Sequence, residues 1–434
     1  MLQFNIPNSY YPERSYILNV IFKEFLGIEI EIFPINDLTN YEIESEEFSK
    51  KIVFSDDFFS KTDDCFLKKK YFPNSVFNFQ SPFSNEMVKG IYGHNKIYEN
   101  EKELYLGIDI FASAFFMLTR WEEFVNSSRD KHNRFPATSS VAFRNNFLHR
   151  PVVNEYVEFL WNLLKYLGYK GERKRRDFQV IPTHDIDFFS FPHNTPKHFA
   201  HDLFIKRNTS IFSKRLKSFI HDPFHTFDYL MDISEQYNAK SRFYFMAGKK
   251  HPNDPPTYYD TRKFRKLVDQ INQREHVIGY HGSYNTYNDL DLLMKEKFRL
   301  EEYIKAPIVE GRQHFLRFSV PQTWNIWDKA GMRLDGTLSY ADHEGFRAGV
   351  CYDYPVFDII QRKQLNVWER PLILMEGSLI NYRKVSPEIF LEKIEYYSNM
   401  VRKYKGNFVF LWHNSSFNFG IWEDYQDLYE HFFN

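Results

Sequence analysis

The chain has only two cysteines, Cys65 and Cys351, among its 434 residues. Because they lie far apart in the sequence, they exclude both a disulfide framework and a zinc site built from clustered cysteines. A strong charge of either sign is also missing, since 56 Lys and Arg residues and 57 Asp and Glu residues leave a formal net charge of -1. Proteins that bind nucleic acid through their overall charge are basic. We therefore expect no nucleic-acid partner.

Long hydrophobic runs are missing as well. The segment from Met1 to Tyr10 contains neither the basic stretch nor the apolar core of a signal peptide. The most apolar stretch, 110–118, is far shorter than the roughly 20 residues that span a bilayer. With Asp109 before it as an N-cap, this stretch is typical of a buried helix. These absences predict a cytoplasmic protein without a membrane span.

The residues that are present indicate a soluble globular protein of two or three domains, with 43% hydrophobic and 26% charged residues. A basic cluster bracketed by acidic residues, 172–177, is typical of a solvated linker. Before it, apolar residues at helical spacing predict an amphipathic helix over 154–167 that ends at Gly168. We expect a smaller α+β domain of unknown role over 1–172.

After the linker, strand patterns alternate with helix patterns. Strands are predicted over 178–183, 241–247, 276–280, 315–319, 332–338, 364–371 and 407–411. Helices are predicted over 261–275, 289–304 and 387–404, the last with Ser386 as N-cap and Pro387 in its first turn. Strands and helices in alternation predict a parallel α/β barrel, closed or incomplete, over 177–434.

Polar side chains follow several of these strands. Asp185 and Asp187 end the strand that begins at 178, and His281, Arg317 and His413 follow three others. The carboxyl ends of parallel strands meet at one rim, where ligands and catalytic groups collect. Two carboxylates one residue apart suit a metal ion or a pair of ligand and base. The alternative for this pair is a turn that caps the following helix, with no ligand.

Four segments resemble the polysaccharide deacetylases, whose barrel is that of nodulation protein B. They are Thr183-His-Asp-Ile-Asp187, His281-Gly-Ser-Tyr-Asn285, Arg317 ahead of Pro321, and Leu411-Trp-His413. The resemblance covers about 177–434 and implies a distorted (β/α)7 barrel. It also implies a metal-dependent hydrolase of carbon–nitrogen bonds other than peptide bonds, acting on an N-acetylated sugar in surface-polysaccharide metabolism. The front half looks like an uncharacterised domain that precedes this barrel in some bacterial members.

The resemblance also implies roles for individual residues. Asp187 and His281 would bind a divalent metal, most simply zinc, while Asp185 would be the general base. Arg317 would orient that base, and His413 would be the general acid. These roles fit the chemistry, because amide hydrolysis needs an activated water, a polarised carbonyl and a proton for the departing amine.

The sequence departs from the family at Asn285, where the family has a second His four residues after the first. Asn285 could bind the metal as the third ligand, His343 or Glu344 could replace it, or the metal could be lost. Two other functions therefore remain open: a metal-free carbohydrate-binding pseudoenzyme, and a hydrolase of a small cyclic amide. A substrate panel and a metal analysis would separate these alternatives.

Some nearby polar residues are secondary candidates. Arg312 is the rival of Arg317, and His314 could line the rim beside it. A carboxylate that orients His413 is sought at Asp335 or Asp342. His184 alternates away from the two carboxylates on an extended strand, so we expect it to be structural.

Overall fold

A computed structural model describes residues 1–63, 65–73, 75–84, 86–191, 221–248, 251–255, 261–418 and 420–434. Within them the chain is a mixed α/β protein. The strands are β1 (Leu2–Pro7), β2 (Ile30–Ile35), β3 (Tyr41–Glu44), β4 (Lys51–Phe54), β5 (Phe77–Gln80), β6 (Met87–Gly90), β7 (Gly93–Glu99), β8 (Glu103–Ile108), β9 (Gln179–Ile186), β10 (Arg242–Met246), β11 (Val277–Gly282), β12 (Glu310–Gln313), β13 (Leu334–Asp335), β14 (Tyr354–Asp358), β15 (Lys363–Glu369), β16 (Leu374–Met375) and β17 (Asn407–Leu411).

The α-helices are α1 (Tyr11–Asn19), α2 (Ile110–Thr119), α3 (Trp121–Val125), α4 (Val141–Arg144), α5 (Val152–Tyr166), α6 (Phe227–Gln236), α7 (Thr261–Gln273), α8 (Leu290–Ile304), α9 (Gln322–Lys329) and α10 (Pro387–Lys403). None of the helices in the described part of the chain is both long enough and apolar enough to cross a bilayer.

The chain forms two compact units. The first contains Met1–Asp177, Ser319–Asp328 and Gly345–Pro371, and the second contains Phe178–Phe318, Lys329–Glu344 and Leu372–Asn434. The first break falls at the charged linker that the sequence marks as a boundary. Two later segments return to the first unit, and no pattern in the sequence marks this return.

The first unit contains a mixed sheet in the order β2-β1-β3-β4-β8-β7. Along β1, the buried Leu2, Phe4 and Ile6 alternate with more exposed residues, so the sheet has one packed face. The predicted buried helix is confirmed in α2, where Asp109 caps the helix by accepting a hydrogen bond from the Ala112 N–H. A buried ion pair between Arg347 and Glu123 lies in the same unit.

The second unit contains seven parallel strands in the order β13-β12-β11-β10-β9-β17-β16. Both faces of β9 are buried towards its carboxyl end, as is usual for a strand inside a parallel sheet. The predicted parallel α/β arrangement is therefore present. Closure of these strands into a barrel is not seen among the described residues and stays a prediction.

Local signals place several elements accurately. The strand at Asn407–Leu411 is confirmed. In α10, Ser386 accepts a hydrogen bond from the Ile389 N–H, and Phe390, Ile394, Tyr397 and Val401 form the buried stripe. Such caps and stripes depend on residues close in sequence, so they can be identified without tertiary information.

The predicted strand over 315–319 is wrong. Its place in the sheet is taken by β12, which ends at Gln313, and a 3-10 turn at His314–Leu316 follows. Phe315 and Leu316 have φ angles of 61° and 54°. Two consecutive left-handed residues cannot continue a strand. The predicted strand over 332–338 is shorter in the structure, where β13 contains only Leu334 and Asp335.

Candidate metal centre

The two carboxylates lie at the carboxyl end of β9, in the second unit. Asp185 belongs to the strand and Asp187 follows its last residue, so the two side chains share one side of the strand. The strands β9 and β10 pair in parallel, so that Asp185 lies opposite Tyr244. The strands β10 and β11 pair in the same way, so that Met246 lies opposite His281. The strand register therefore carries His281 to the same rim as the carboxylates.

Asp185 is held by Arg312. The Arg312 Nη1 donates to Asp185 Oδ1 at 2.9 Å and to Thr183 Oγ1 at 2.9 Å, and its Nε donates to the Gly336 carbonyl at 2.7 Å. The guanidinium is fully buried. Three acceptors from two parts of the chain, two on β9 and one just after β13, fix its plane, so the direction of the Asp185 carboxylate is also fixed.

Asp187 and two histidines form a cluster of side chains of the types that bind metal ions. Asp187, His281 and His314 each offer one ligand atom, and these atoms lie within 4.8 Å of one another. The His281 Nε2 is 3.2 Å and the His314 Nε2 is 3.4 Å from Asp187 Oδ1. Among the described residues this is the one group of three or more His, Cys, Asp or Glu side chains with such spacing.

The hydrogen bonds of the two imidazoles favour metal binding. The His281 Nδ1 lies 3.0 Å from the Arg312 carbonyl oxygen, and the His314 Nδ1 lies 3.1 Å from Asp254 Oδ1. Each acceptor requires a proton on Nδ1, which leaves the lone pair of a neutral ring on Nε2, towards Asp187. Metal-bound His residues usually have this arrangement.

Two ligand atoms of this group are buried without a hydrogen-bond partner in the described structure, namely Asp187 Oδ1 and His281 Nε2. Two electron-rich atoms only 3.2 Å apart need a cation or a proton between them. Burial lowers the pKa of His281, but the Asp185 and Asp187 carboxylates raise it by more than burial lowers it. The pKa of His281 is therefore above its usual value. The site thus attracts positive charge, and its donors fit a divalent metal ion.

His413 lies on the other side of Asp187, with its Nε2 3.8 Å from Asp187 Oδ2. Its Nδ1 lies 2.6 Å from the fully buried Glu376 Oε1, which also accepts from the His413 N–H at 3.0 Å. Burial lowers the pKa of His413, but Glu376, Asp187 and Asp185 more than offset it and raise the pKa to about 10. His413 therefore carries a proton at neutral pH.

Glu376 fills the role for which the sequence suggested Asp335 or Asp342. Asp335 instead accepts hydrogen bonds from Thr337, and burial raises its pKa to about 7. The Asp342 Oδ2 lies 3.4 Å from the His343 Nδ1. Neither carboxylate has a hydrogen bond to His413 in the described part of the structure.

Arg317 and Asn285 lie together. The Arg317 Nη1 donates to the Tyr284 carbonyl and, at 3.2 Å, to the Asn285 side-chain oxygen. The guanidinium carbon is 3.9 Å from the ring centroid of Tyr284 and 4.0 Å from that of Tyr287. Arg317 thus holds the loop after β11. The contact with the base that the sequence predicted for Arg317 is made by its rival, Arg312.

The cluster that could hold a metal contains His314, and Asn285 is not part of it. The two substitutes that the sequence suggested have other partners, because His343 faces Asp342 and Glu344 pairs with Arg383 and Lys393. The sequence presents His314 only as a candidate for the rim, because the predicted strand over 315–319 begins after it. With β12 ending at Gln313, His314 is the first residue after a strand end, which is the signal that identified Asp187.

His184 has the structural role that the sequence indicates. Its Nδ1 lies 2.8 Å from the Trp412 carbonyl and its Nε2 lies 3.0 Å from Ser241 Oγ. Burial lowers the pKa of His184 to about 3, so the ring is neutral. Both nitrogens are hydrogen-bonded, and neither is available to a ligand.

Residues 2–169 match the model of a family of unknown function, DUF7033. No curated protein matches the chain. Among solved structures, a protein from Mycobacterium smegmatis named as a polysaccharide deacetylase has 19% identity, with 56% of this chain and 78% of that chain covered and a TM-score of 0.36.

Two further solved structures are similar to this chain. A CE4 family pseudoenzyme from Bacillus anthracis has 10% identity over 58% of this chain and 59% of that chain, with a TM-score of 0.29. A peptidoglycan N-acetylglucosamine deacetylase has 14% identity over 55% and 72% of the two chains, with a TM-score of 0.27.

Proposed function

We propose that the protein is a metal-dependent hydrolase that removes the acetyl group from an N-acetylated sugar, in surface-polysaccharide metabolism. The observation that carries this proposal is the cluster of Asp187, His281 and His314, which lies between two further charged pairs. One pair is Asp185 with Arg312, and the other is His413 with Glu376. A ligand set, a base and an acid around one point match the needs of amide hydrolysis.

Asp187, His281 and His314 are the residues that would hold the metal. Two imidazoles and one carboxylate form a ligand set typical of catalytic zinc sites, so we expect zinc. When bound there, a divalent ion supplies a Lewis acid for the acetyl carbonyl and lowers the pKa of water. The orphaned Asp187 Oδ1 and His281 Nε2 support this assignment, because each would gain a partner.

Asp185 is the proposed general base. Arg312 binds its Oδ1 and turns the carboxylate so that Oδ2 can accept a proton from water. We assign the orienting role to Arg312 rather than Arg317, since Arg317 contacts Tyr284 and Asn285 instead. The buried ion pair also keeps Asp185 from turning towards other donors.

His413 is the proposed general acid. Glu376 accepts a hydrogen bond from the Nδ1–H, and in the charged ring Nε2 carries the second proton, which can be donated. A pKa of about 10 keeps this proton in place at neutral pH until the amine departs. Deacetylation needs such a donor because an unprotonated amine anion is a poor leaving group.

The proposal is tested with zinc-loaded protein and a panel of N-acetylated oligosaccharides and cyclic imides, with acetate release as the readout. Acetate should be released from at least one N-acetylated sugar and should stop when a chelator is added. Asp185→Asn and His413→Ala should each lower turnover by about 10²–10⁴-fold, the usual contribution of one acid or base. Asp222→Asn is a matched control, because Asp222 accepts backbone N–H groups of Phe191 and Phe224.

Hydrolysis of a cyclic imide alone would replace the sugar deacetylase with a cyclic-amide hydrolase. A zinc-loaded protein that binds an oligosaccharide but releases no acetate would overturn the catalytic proposal in favour of a binding protein.

A further inference from the structure

The His314 ring is held by a carboxylate that no sequence motif contains. Asp254 lies in the described loop 251–255, after β10 in the chain, and its side chain is 1% exposed. Its Oδ1 is 3.1 Å from the His314 Nδ1 and accepts a hydrogen bond from the Tyr284 N–H at 2.8 Å. Its Oδ2 accepts from the His251 N–H at 3.3 Å. Two backbone donors thus fix this carboxylate against the imidazole.

The loop that carries Asp254 is itself fixed against the loop after β11. The His251 ring stacks on the Tyr284 ring, with centroids 4.1 Å apart and an angle of 11° between the planes. Tyr284 therefore contacts the 251–255 loop through its ring and its backbone N–H. Rigid support of this kind is what a carboxylate needs to orient a metal ligand.

The two imidazoles of the proposed metal site are supported unequally. His281 faces a neutral acceptor, the Arg312 carbonyl, whereas His314 faces a charged carboxylate. A carboxylate on the distal nitrogen raises the basicity of a metal-bound imidazole more than a carbonyl does. His314 should therefore depend more strongly on its partner than His281 does.

Charge balance gives Asp254 a second role. Asp185 is paired with Arg312, and Glu376 is paired with the protonated His413. In the described residues, Asp187 and Asp254 have no ion pair with Lys or Arg, and the only cationic partners that either can have are His rings. Two such carboxylates balance the two charges of a divalent ion, which favours binding in a site of low dielectric.

We propose that Asp254 is a positioning residue for the metal site, which orients His314 as the third ligand and balances the charge of the ion. This inference rests on the proposed metal site and goes beyond it, because loop 251–255 becomes part of the metal centre. Asp254 contacts the metal only through His314. Its removal should therefore weaken metal binding without abolishing it.

The test measures zinc affinity by chelator competition, starting from metal-free protein, for the wild type, Asp254→Asn, His314→Ala and the double variant. Asparagine keeps one oxygen, which can still accept from the Tyr284 N–H and the His314 Nδ1–H, but it removes the charge and the acceptor for the His251 N–H. The lost bond is the long one, at 3.3 Å, so the loop should still fold. Removal of a supporting carboxylate usually weakens metal binding by about 10–100-fold. Asp222→Asn, which also removes a carboxylate that accepts two backbone N–H groups, should not change the affinity.

The double variant separates positioning from general structural damage. If Asp254 acts mainly by orienting His314, the loss of zinc affinity that Asp254→Asn causes should be much smaller once His314 is alanine, with only the charge effect left. An independent and additive loss would overturn the inference, and so would unchanged affinity in Asp254→Asn. A wild-type protein that binds no zinc would instead overturn the proposed metal site itself. Thermal unfolding of each metal-free variant shows that the fold is intact.

Discussion

Replacement of Glu376 by glutamine should change the pH dependence of catalysis more than the metal content. Glu376 Oε1 lies 2.6 Å from the His413 Nδ1, and both groups lie inside the second unit. The glutamine side chain of Glu376→Gln can still accept a hydrogen bond from the His413 Nδ1–H, but it lacks the negative charge. The variant therefore tests whether Glu376 keeps His413 protonated or only holds the ring in place.

The magnitude follows from the pKa of His413. Burial lowers this pKa, and Glu376 is the first of the groups that raise it to about 10, against an ordinary value of 6.5. The difference corresponds to roughly 5 kcal/mol in favour of the charged ring. A general acid loses its activity as the pH rises through its pKa. Without Glu376 the pKa of His413 falls, so the alkaline limb of the activity profile should move to lower pH.

The assay is kcat/KM for acetate release by zinc-loaded protein across the pH range, with zinc content measured at each pH. Activity of Glu376→Gln at neutral pH should fall by about 10²-fold or more and should recover partly at acid pH. Asp342→Asn is the matched control, because Asp342 faces His343 instead of His413. An alkaline limb at the same pH in wild type and Glu376→Gln would refute the role of Glu376.

Three further predictions follow. Arg312→Met should lower turnover by about 10²-fold or more while zinc stays bound, and the unpaired Asp185 should destabilise the fold by about 3–5 kcal/mol. Arg317→Met should leave the rate of the chemical step, measured by single-turnover kinetics, much closer to wild type. Asn285→Ala should keep stoichiometric zinc, and loss of the metal by dialysis would return position 285 to the ligand set. Burial raises the pKa of Glu122 by more than the nearby Arg120 lowers it, so this pKa is about 7, against 4.5 in the unfolded chain. Protonation of Glu122 therefore stabilises the folded state fully below pH 4.5, and the free energy of unfolding falls by about 3 kcal/mol as the pH rises to 7. In urea unfolding, Glu122→Gln should lack this decline.

Much of the site could be predicted because its signals are local. Asp185 and Asp187 follow the apolar residues of β9, and His281 and His413 stand at the ends of strands with clear hydrophobic patterns. A strand of this kind shows its carboxyl end in the sequence alone. The edge of the parallel sheet then places the polar residues that follow.

The rest depends on contacts that sequence patterns do not show. The strand β12 reads Glu-Gly-Arg-Gln and has no hydrophobic alternation, whereas the apolar residues after it have the pattern that predicts a strand. Because the predicted strand lies too late in the sequence, it gives Arg317 the position that Arg312 occupies, and it does not place His314 at a strand end. Glu376 follows a strand of only two residues, and Asp254 lies in a loop. Neither has a periodic pattern around it, so both become visible only in the tertiary structure.

The central claim is that Asp187, His281 and His314 bind one divalent metal ion. The most direct measurement is zinc stoichiometry together with X-ray absorption at the zinc edge, for the wild type, His314→Ala and Asn285→Ala. The account predicts about one zinc per chain with two imidazole ligands in the wild type and in Asn285→Ala, and loss of stoichiometric zinc in His314→Ala. Full zinc with two imidazole ligands in His314→Ala, or no zinc in the wild type, would contradict it.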